Sequence, residues 1–211
     1  WYVASVVPAW RGRTEEAARR FQEALDAQRI DTAQQGPMVQ GWYGALLAPA
    51  ARHADAIAVL EPVVLPEGPR QRPSHWMPEL DGEHALAWAY LNSGAGAKAE
   101  TLLSAPWRLC QAEQNEGVSH DSGLLHYSAR TALLRSVPDR ALEFLDQAVI
   151  AGWREYYIRQ HDPYWAALEN DSRYRALMAR VKADVDRQAV GIARLDAAED
   201  LVAKVDAAVA G

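Results

Sequence analysis

Four times along this 211-residue chain, a small residue is followed four positions on by a large apolar one, and three further on by another small or apolar one. The trios are Ala17, Phe21 and Ala24; Ala56, Leu60 and Val63; Ala99, Leu103 and Pro106; and Ala141, Leu145 and Ala148. Steps of four and three place each trio on one face of a helix. The lead alanines are 39, 43 and 42 residues apart. A pattern that returns at near-constant spacing constrains the fold more than any single motif does. Each unit is too small to bury its own apolar face, so neighbours must stack to complete one core.

Each of these helices follows a turn, and each turn follows another helical stretch. Those stretches run over residues 1–10, 39–47, 84–92 and 123–135. Gly12, Gly94 and the run Ser136–Val137–Pro138–Asp139 supply the turns. Pro138 suits a first helical position, where its missing N–H costs nothing. The segment 65–78 (LPEGPRQRPSHWMP) carries four prolines and a glycine, which excludes regular helix. Residues 30–37 and 112–122 read as further polar connections. The plain reading of the Pro-rich stretch is an inter-repeat loop; the alternative is a lid or partner contact through His75 and Trp76.

On these residues the chain resembles the tetratricopeptide repeat (TPR) family over residues 1–150. Trp1 and Leu125 fall on its first bulky position, Gly44, Ala87 and Ala129 on its small one, and Tyr90 on its second bulky one. The spacing is longer than the usual ~34 residues, Ser5 stands at the first small position, and Pro8 replaces an aromatic residue. The resemblance implies an all-α fold: a right-handed α-solenoid of about four helix pairs, over residues 1–36, 37–78, 79–121 and 122–150. It also implies a concave groove lined by the first helix of each pair. Matched residue by residue, that groove comprises Tyr2, Val6 and Trp10, then Gly41 and Ala45, then His84, Trp88 and Asn92, then His126 and Arg130. The Lys/Arg–Asn clamp that such modules use on C-terminal carboxylates is missing. A surface of Trp, Tyr, His and Arg suits a protein or peptide partner, or an aromatic small molecule.

The segment 151–181 resembles the closing segment of many bacterial TPR modules, through Asp162–Pro163 and through Asp171, Arg173 and Tyr174. Asp is a good N-cap and proline a preorganised first residue. Trp153, Tyr157, Trp165, Leu168, Tyr174, Leu177 and Val181 are expected to cover the last repeat, whose apolar face would otherwise meet water. The tail, 182–211, reads as an amphipathic helix with Gly191 as its point of interruption. It either docks back on the repeats or forms a helix pair, with a homodimer as one form, because its apolar spacing also suits a heptad seam.

Hydrophobic residues make up 49% of the chain and charged ones 24%, enough apolar surface to order most of it. A net charge of −6 argues against direct nucleic-acid binding by this segment. The single cysteine, Cys110, excludes an internal disulfide and reads as a small core residue. No apolar run reaches the ~20 residues of a membrane span. The compartment stays open between bacterial cytoplasm and periplasm. No phosphate-cradling loop, paired-Cys or His-Glu-x-x-His zinc spacing, or nucleophile elbow is present, so no cofactor is expected and the chain reads as a non-enzyme.

The expectation is therefore a binding scaffold, the sensory or regulatory C-terminal part of a longer bacterial signalling or transcription protein. Two alternatives stand beside it. One is a metal-binding or hydrolytic helical protein using His120, Asp121 and His126; the other is a purely structural assembly scaffold.

Overall fold

The turns between paired helices repeat to the residue. In the computed structural model, which describes residues 2–30, 32–65, 81–115, 121–159 and 161–200, the position five before each lead alanine is left-handed. Gly12 has φ +72, Ala51 +59, Gly94 +77 and Ser136 +59. In each case the next residue's N–H bonds back five residues: Arg13 to Pro8, Arg52 to Leu47, Ala95 to Tyr90, and Val137 to Ala132. These are Schellman-type stops, which satisfy carbonyls that the helix end leaves open. Glycine takes this conformation freely, whereas alanine and serine carry a steric penalty in it.

The first two units contain α1 (Tyr2–Trp10), α2 (Thr14–Asp26), α3 (Thr32–Leu47) and α4 (His53–Val64). Next come α5 (Gly82–Asn92), α6 (Gly96–Asn115), α7 (Ser122–Leu134) and α8 (Pro138–Ile150). A short α9 (Tyr156–Arg159), a 3-10 helix (Pro163–Leu168) and a long α10 (Ser172–Glu199) follow. The chain is thus all-helical, and no strand occurs among the described residues. Nor, among them, is any helix long and apolar enough to cross a membrane.

Each helix packs on its neighbours in sequence from α1 to α8, and α3 touches α5, as α5 touches α7. The 3-10 helix lies on α7, α10 lies on α8 and α9, and α9 reaches back to α1. The trios form the centre of the core. All four lead alanines are fully buried, and Phe21, Leu60, Leu103 and Leu145 sit beside them at 0–1% exposure. A large apolar side chain so placed contributes about 1.5–3 kcal/mol over leaving it in water. Gly44 shows why its position must be small: an added Cβ would lie 2.3 Å from Leu60 Cγ.

Three sequence expectations change. Residues 30–37 were expected as a connection, yet helix begins at Thr32 and runs through Pro37. Likewise 112–115 belong to α6, which ends at Asn115. Proline forfeits one backbone bond near a helix start, and the buried residues that follow, Val39 and Tyr43 to Leu47, hold the helix in place. Gly191 does not interrupt the tail: α10 is one helix from Ser172 to Glu199, spanning the expected boundary at 181/182. The Pro-rich loop with His75 and Trp76, most of 116–122, and 201–211 lie outside the described residues.

Candidate functional site, the face shared by α5 and α7

Two aspartates fix where this face begins. Asp81 caps α5, its Oδ1 accepting from the N–H groups of Glu83 (3.0 Å) and His84 (3.4 Å). Asp121 caps α7, accepting from Gly123 (2.9 Å) and Leu124 (3.1 Å). With both helix starts so defined, residues 83 and 84 of α5 meet Tyr127 and Thr131 of α7.

A buried polar network joins the two helices. Tyr127 OH donates to Glu83 Oε2 at 2.9 Å. His84 Nε2 lies 2.9 Å from Thr131 Oγ1. The Thr131 hydroxyl donates its own hydrogen bond to the Tyr127 carbonyl at 3.0 Å, so His84 is the donor in that pair. On the other side of the ring, His84 Nδ1 is 3.0 Å from Asp81 Oδ2, in contact without the alignment of a full hydrogen bond. The His84 and Tyr127 rings are 4.3 Å apart. Burial raises the Asp81 pKa, but the attraction of His84, its close side-chain contact and backbone N–H, and Arg130 more than offset that, so the carboxyl sits below its ordinary value. Burial, then the charges of Asp81 and Glu83, push Tyr127 well up. Carboxylate, imidazole and hydroxyl stand in the order of a proton relay, but His84 and Thr131 are fully buried. A hydroxyl so placed fastens α5 to α7.

Over the neighbouring part of the same face lies the chain's own closing segment. Arg130 is 2% exposed, its guanidinium 4.0 Å from the centre of the Tyr164 ring and 3.6 Å from Asp162 Oδ2. Trp88 of α5 also meets Tyr164, with ring centres 5.0 Å apart. His126 stacks on Trp153 at 5.0 Å and 10°, and touches Trp165 at 5.3 Å. Trp165 in turn stacks on Tyr174 of α10. Local sequence shapes this segment: Asp162 caps the 3-10 helix by accepting from Tyr164 N–H, and Pro163 occupies its first position. Tyr164 and Trp165 are thereby projected together onto α7. A desolvated cation over an aromatic face contributes up to about 2 kcal/mol.

The ten sequence-expected groove residues are thus distributed unequally. His84, His126 and Arg130 are buried, the last two beneath the closing segment, and Trp88 is half-buried against Tyr164. Val6 and Ala45 are buried, Trp10 and Gly41 half-buried. Asn92 is exposed and donates to the Trp88 carbonyl. The Tyr2 side chain lies outside the described ones.

Of the cover expected from the closing segment, Trp153, Trp165, Leu168, Leu177 and Val181 are buried, while Tyr157 is exposed. In the alternative metal cluster, Asp121 serves as a helix cap and His126 packs against two indoles; His120 lies outside the described residues. Among the described residues no three His, Cys, Asp or Glu side chains are grouped to hold a metal ion.

Sequence reasoning missed Asp81, Glu83 and Thr131 as partners. Their one visible signal was the Asp-Gly-Glu-His run, which reads as a helix cap. It also missed that Asp162 and Tyr164 occupy the face of Arg130. No family model matches the chain, and no curated protein or solved structure matches it either.

Proposed function

We propose that this chain is an α-solenoid scaffold of TPR type that binds a peptide segment of a protein partner on the inner face of its odd-numbered helices. What supports the solenoid is the identical turn five residues before each lead alanine, together with the contacts of α3 with α5 and α5 with α7. The observation that carries the binding role is the seating of Asp162–Tyr164–Trp165 on Arg130, Trp88 and His126. A fixed guanidinium on an aromatic ring is the chemistry of peptide hot spots, and it selects an acidic residue next to aromatic ones. The chain's own segment occupies that face, so a partner segment competes with it.

Regulation of an attached effector, in a longer signalling or transcription protein, is the further part of this reading. It rests on the resemblance of segment 151–181 alone, and reading the coding sequence upstream of Trp1 tests it.

Fluorescence anisotropy with labelled Asp-Pro-Tyr-Trp peptides and their Lys-substituted counterparts tests the binding role. The acidic–aromatic peptide is expected to bind, and to bind more tightly to the Tyr164→Ala protein, in which the competing segment is weakened. Equal binding of both peptides, or of neither to either protein, sinks the proposal.

A further inference from the structure

The left-handed turns share one backbone geometry, yet the first carries a neighbour that the third lacks. A Cβ added to Gly94 would meet nothing within 4 Å among the described residues. One added to Gly12 would lie 3.1 Å from His161 Cγ and 3.4 Å from His161 Nδ1. His161 therefore rests on the turn between α1 and α2. Three residues on, Tyr164 lies against the Arg130 guanidinium, with Asp162 beside it. Just before this stretch, α9 packs on α1. Residues 161–165 thus touch the first unit at one end and the α5–α7 face at the other.

This stretch is too short and too stiff for its ends to move independently. Three residues span at most about 10 Å when extended. Asp162 accepts from the Tyr164 N–H at 3.2 Å, and Pro163 between them has a fixed φ, so 162–164 move as one piece. In the inner row α3 packs on α5 and α5 on α7, while α1 packs on α2 and α9. The closing segment thereby adds to the hold of α2 on the first helix. Its seat on α7 is one that it can leave. Trp165 is buried, yet its indole N–H has no hydrogen-bond partner among the described residues. Lifting the segment lets water satisfy that donor, which offsets part of the lost packing.

We infer that residues 161–165 are a strap coupling the first unit to the α5–α7 face. A partner segment that displaces Tyr164 from Arg130 also lifts His161 from the α1–α2 turn and loosens the first unit. The partner in this statement rests on the peptide-binding role proposed above; the coupling itself rests on the two contacts of the strap. Coupling between sites is reciprocal. Weakening the His161 contact at Gly12 therefore favours the partner at α7, although His161 is no part of the surface that the partner binds. The α1–α2 turn becomes a control point for that surface, and the looser first unit is the signal that binding sends out.

Amide hydrogen exchange of the full chain, read by NMR, tests the strap without any partner. The reporters are Arg11, Gly12 and Arg13, whose N–H groups bond back to Val7, Ala9 and Pro8. The control is the equivalent second turn, where Ala51 and Arg52 bond back to Ala48 and Leu47. In Tyr164→Ala, exchange at the first turn is expected to rise about 5-fold or more, the lower end of couplings between sites, with the second turn unchanged. His161→Ala is expected to do the same at the first turn. From that remote end it should also tighten binding of the labelled Asp-Pro-Tyr-Trp peptide, by a similar factor. First-turn exchange unchanged in Tyr164→Ala, or raised equally at both turns as general loss of stability would do, overturns the strap. So does a peptide that binds the parent and His161→Ala with equal affinity. Faster exchange at the first turn alone, with no peptide bound by any variant, upholds the strap and sinks the binding role instead.

Discussion

Gly44→Ala sets two opposed effects of known size against each other at the α3–α4 crossing. Alanine is the better helix former by about 1 kcal/mol, and an exposed mid-helix site would show that gain. Here the added methyl would sit 2.3 Å from Leu60 Cγ and 2.5 Å from Cδ2, where carbon pairs rest at about 3.5–4 Å. Leu60 has little room to yield. It is fully buried, and on its other side α5 is so close that a Cβ on Gly82 would come within 3.4 Å of Leu60 Cδ2. Leu60 is therefore wedged between α3 and α5, and α3 must move out by about 1 Å or more.

Overpacking of this kind costs roughly 1–3 kcal/mol. A separation as short as 2.3 Å belongs to the upper part of that range, about 2–3 kcal/mol. After the propensity gain of about 1 kcal/mol, the substitution is expected to destabilise the chain by about 1–2 kcal/mol, a fall in melting temperature of about 2–8 °C at this chain length. Equilibrium urea unfolding followed by circular dichroism measures it. Leu60→Val, costing about 1 kcal/mol alone, should make room, so that the double variant loses at least ~0.5 kcal/mol less than the sum of the singles. A Gly44→Ala protein as stable as the parent, or more so, would refute the close crossing of α3 and α4.

Two further outcomes follow from the turns and the buried network. Ala51→Gly and Ser136→Gly relieve a left-handed φ of +59 at each position and should each raise stability by up to about 1 kcal/mol in the same urea assay, while Gly12→Ala, at φ +72, should lower it by a similar amount. Asp81 has a folded pKa below its unfolded value, so its contribution is present above the unfolded pKa near 3.8 and is lost as pH falls through the folded one. Stability measured from pH 7 down to about 2 should therefore fall more steeply in the parent than in Asp81→Asn, which keeps a capping oxygen but removes the charge; parallel curves would show that the charge contributes nothing.

Much of the helical layout was legible because it depends on local chemistry. Of the four trios all members but Val63 are buried, Val63 being half-buried beside the buried Val64, and Gly12, Gly94 and Ser136 turn the chain where turn residues were read. Pro138, Asp162–Pro163 and Asp171 open helices as their caps require. Pro37 and Gly191 misled, because a local preference of a few kcal/mol or less yields to packing of the helix that surrounds it. At Pro37 the buried run from Tyr43 to Leu47 prevails.

The candidate site was harder to see for a different reason. Arg130 and Trp88 meet Asp162 and Tyr164 across 32 to 76 residues of sequence, outside any repeat period. Nothing local distinguishes a histidine in contact with two indoles, as His126 is, from one facing a ligand. The expected groove lining and the expected cap were both read from the chain, but not that the second lies upon the first.

A double-mutant cycle on Arg130 and Tyr164 tests most directly whether the α5–α7 face recognises the closing segment through its chemistry. Urea unfolding of the parent, Arg130→Met, Tyr164→Leu and the double variant gives the interaction free energy of guanidinium and ring, with both replacements keeping apolar bulk. The desolvated contact at 4.0 Å predicts a coupling of about 1–2 kcal/mol. A coupling indistinguishable from zero would mean that the face merely buries the segment, and would contradict the binding role drawn from it.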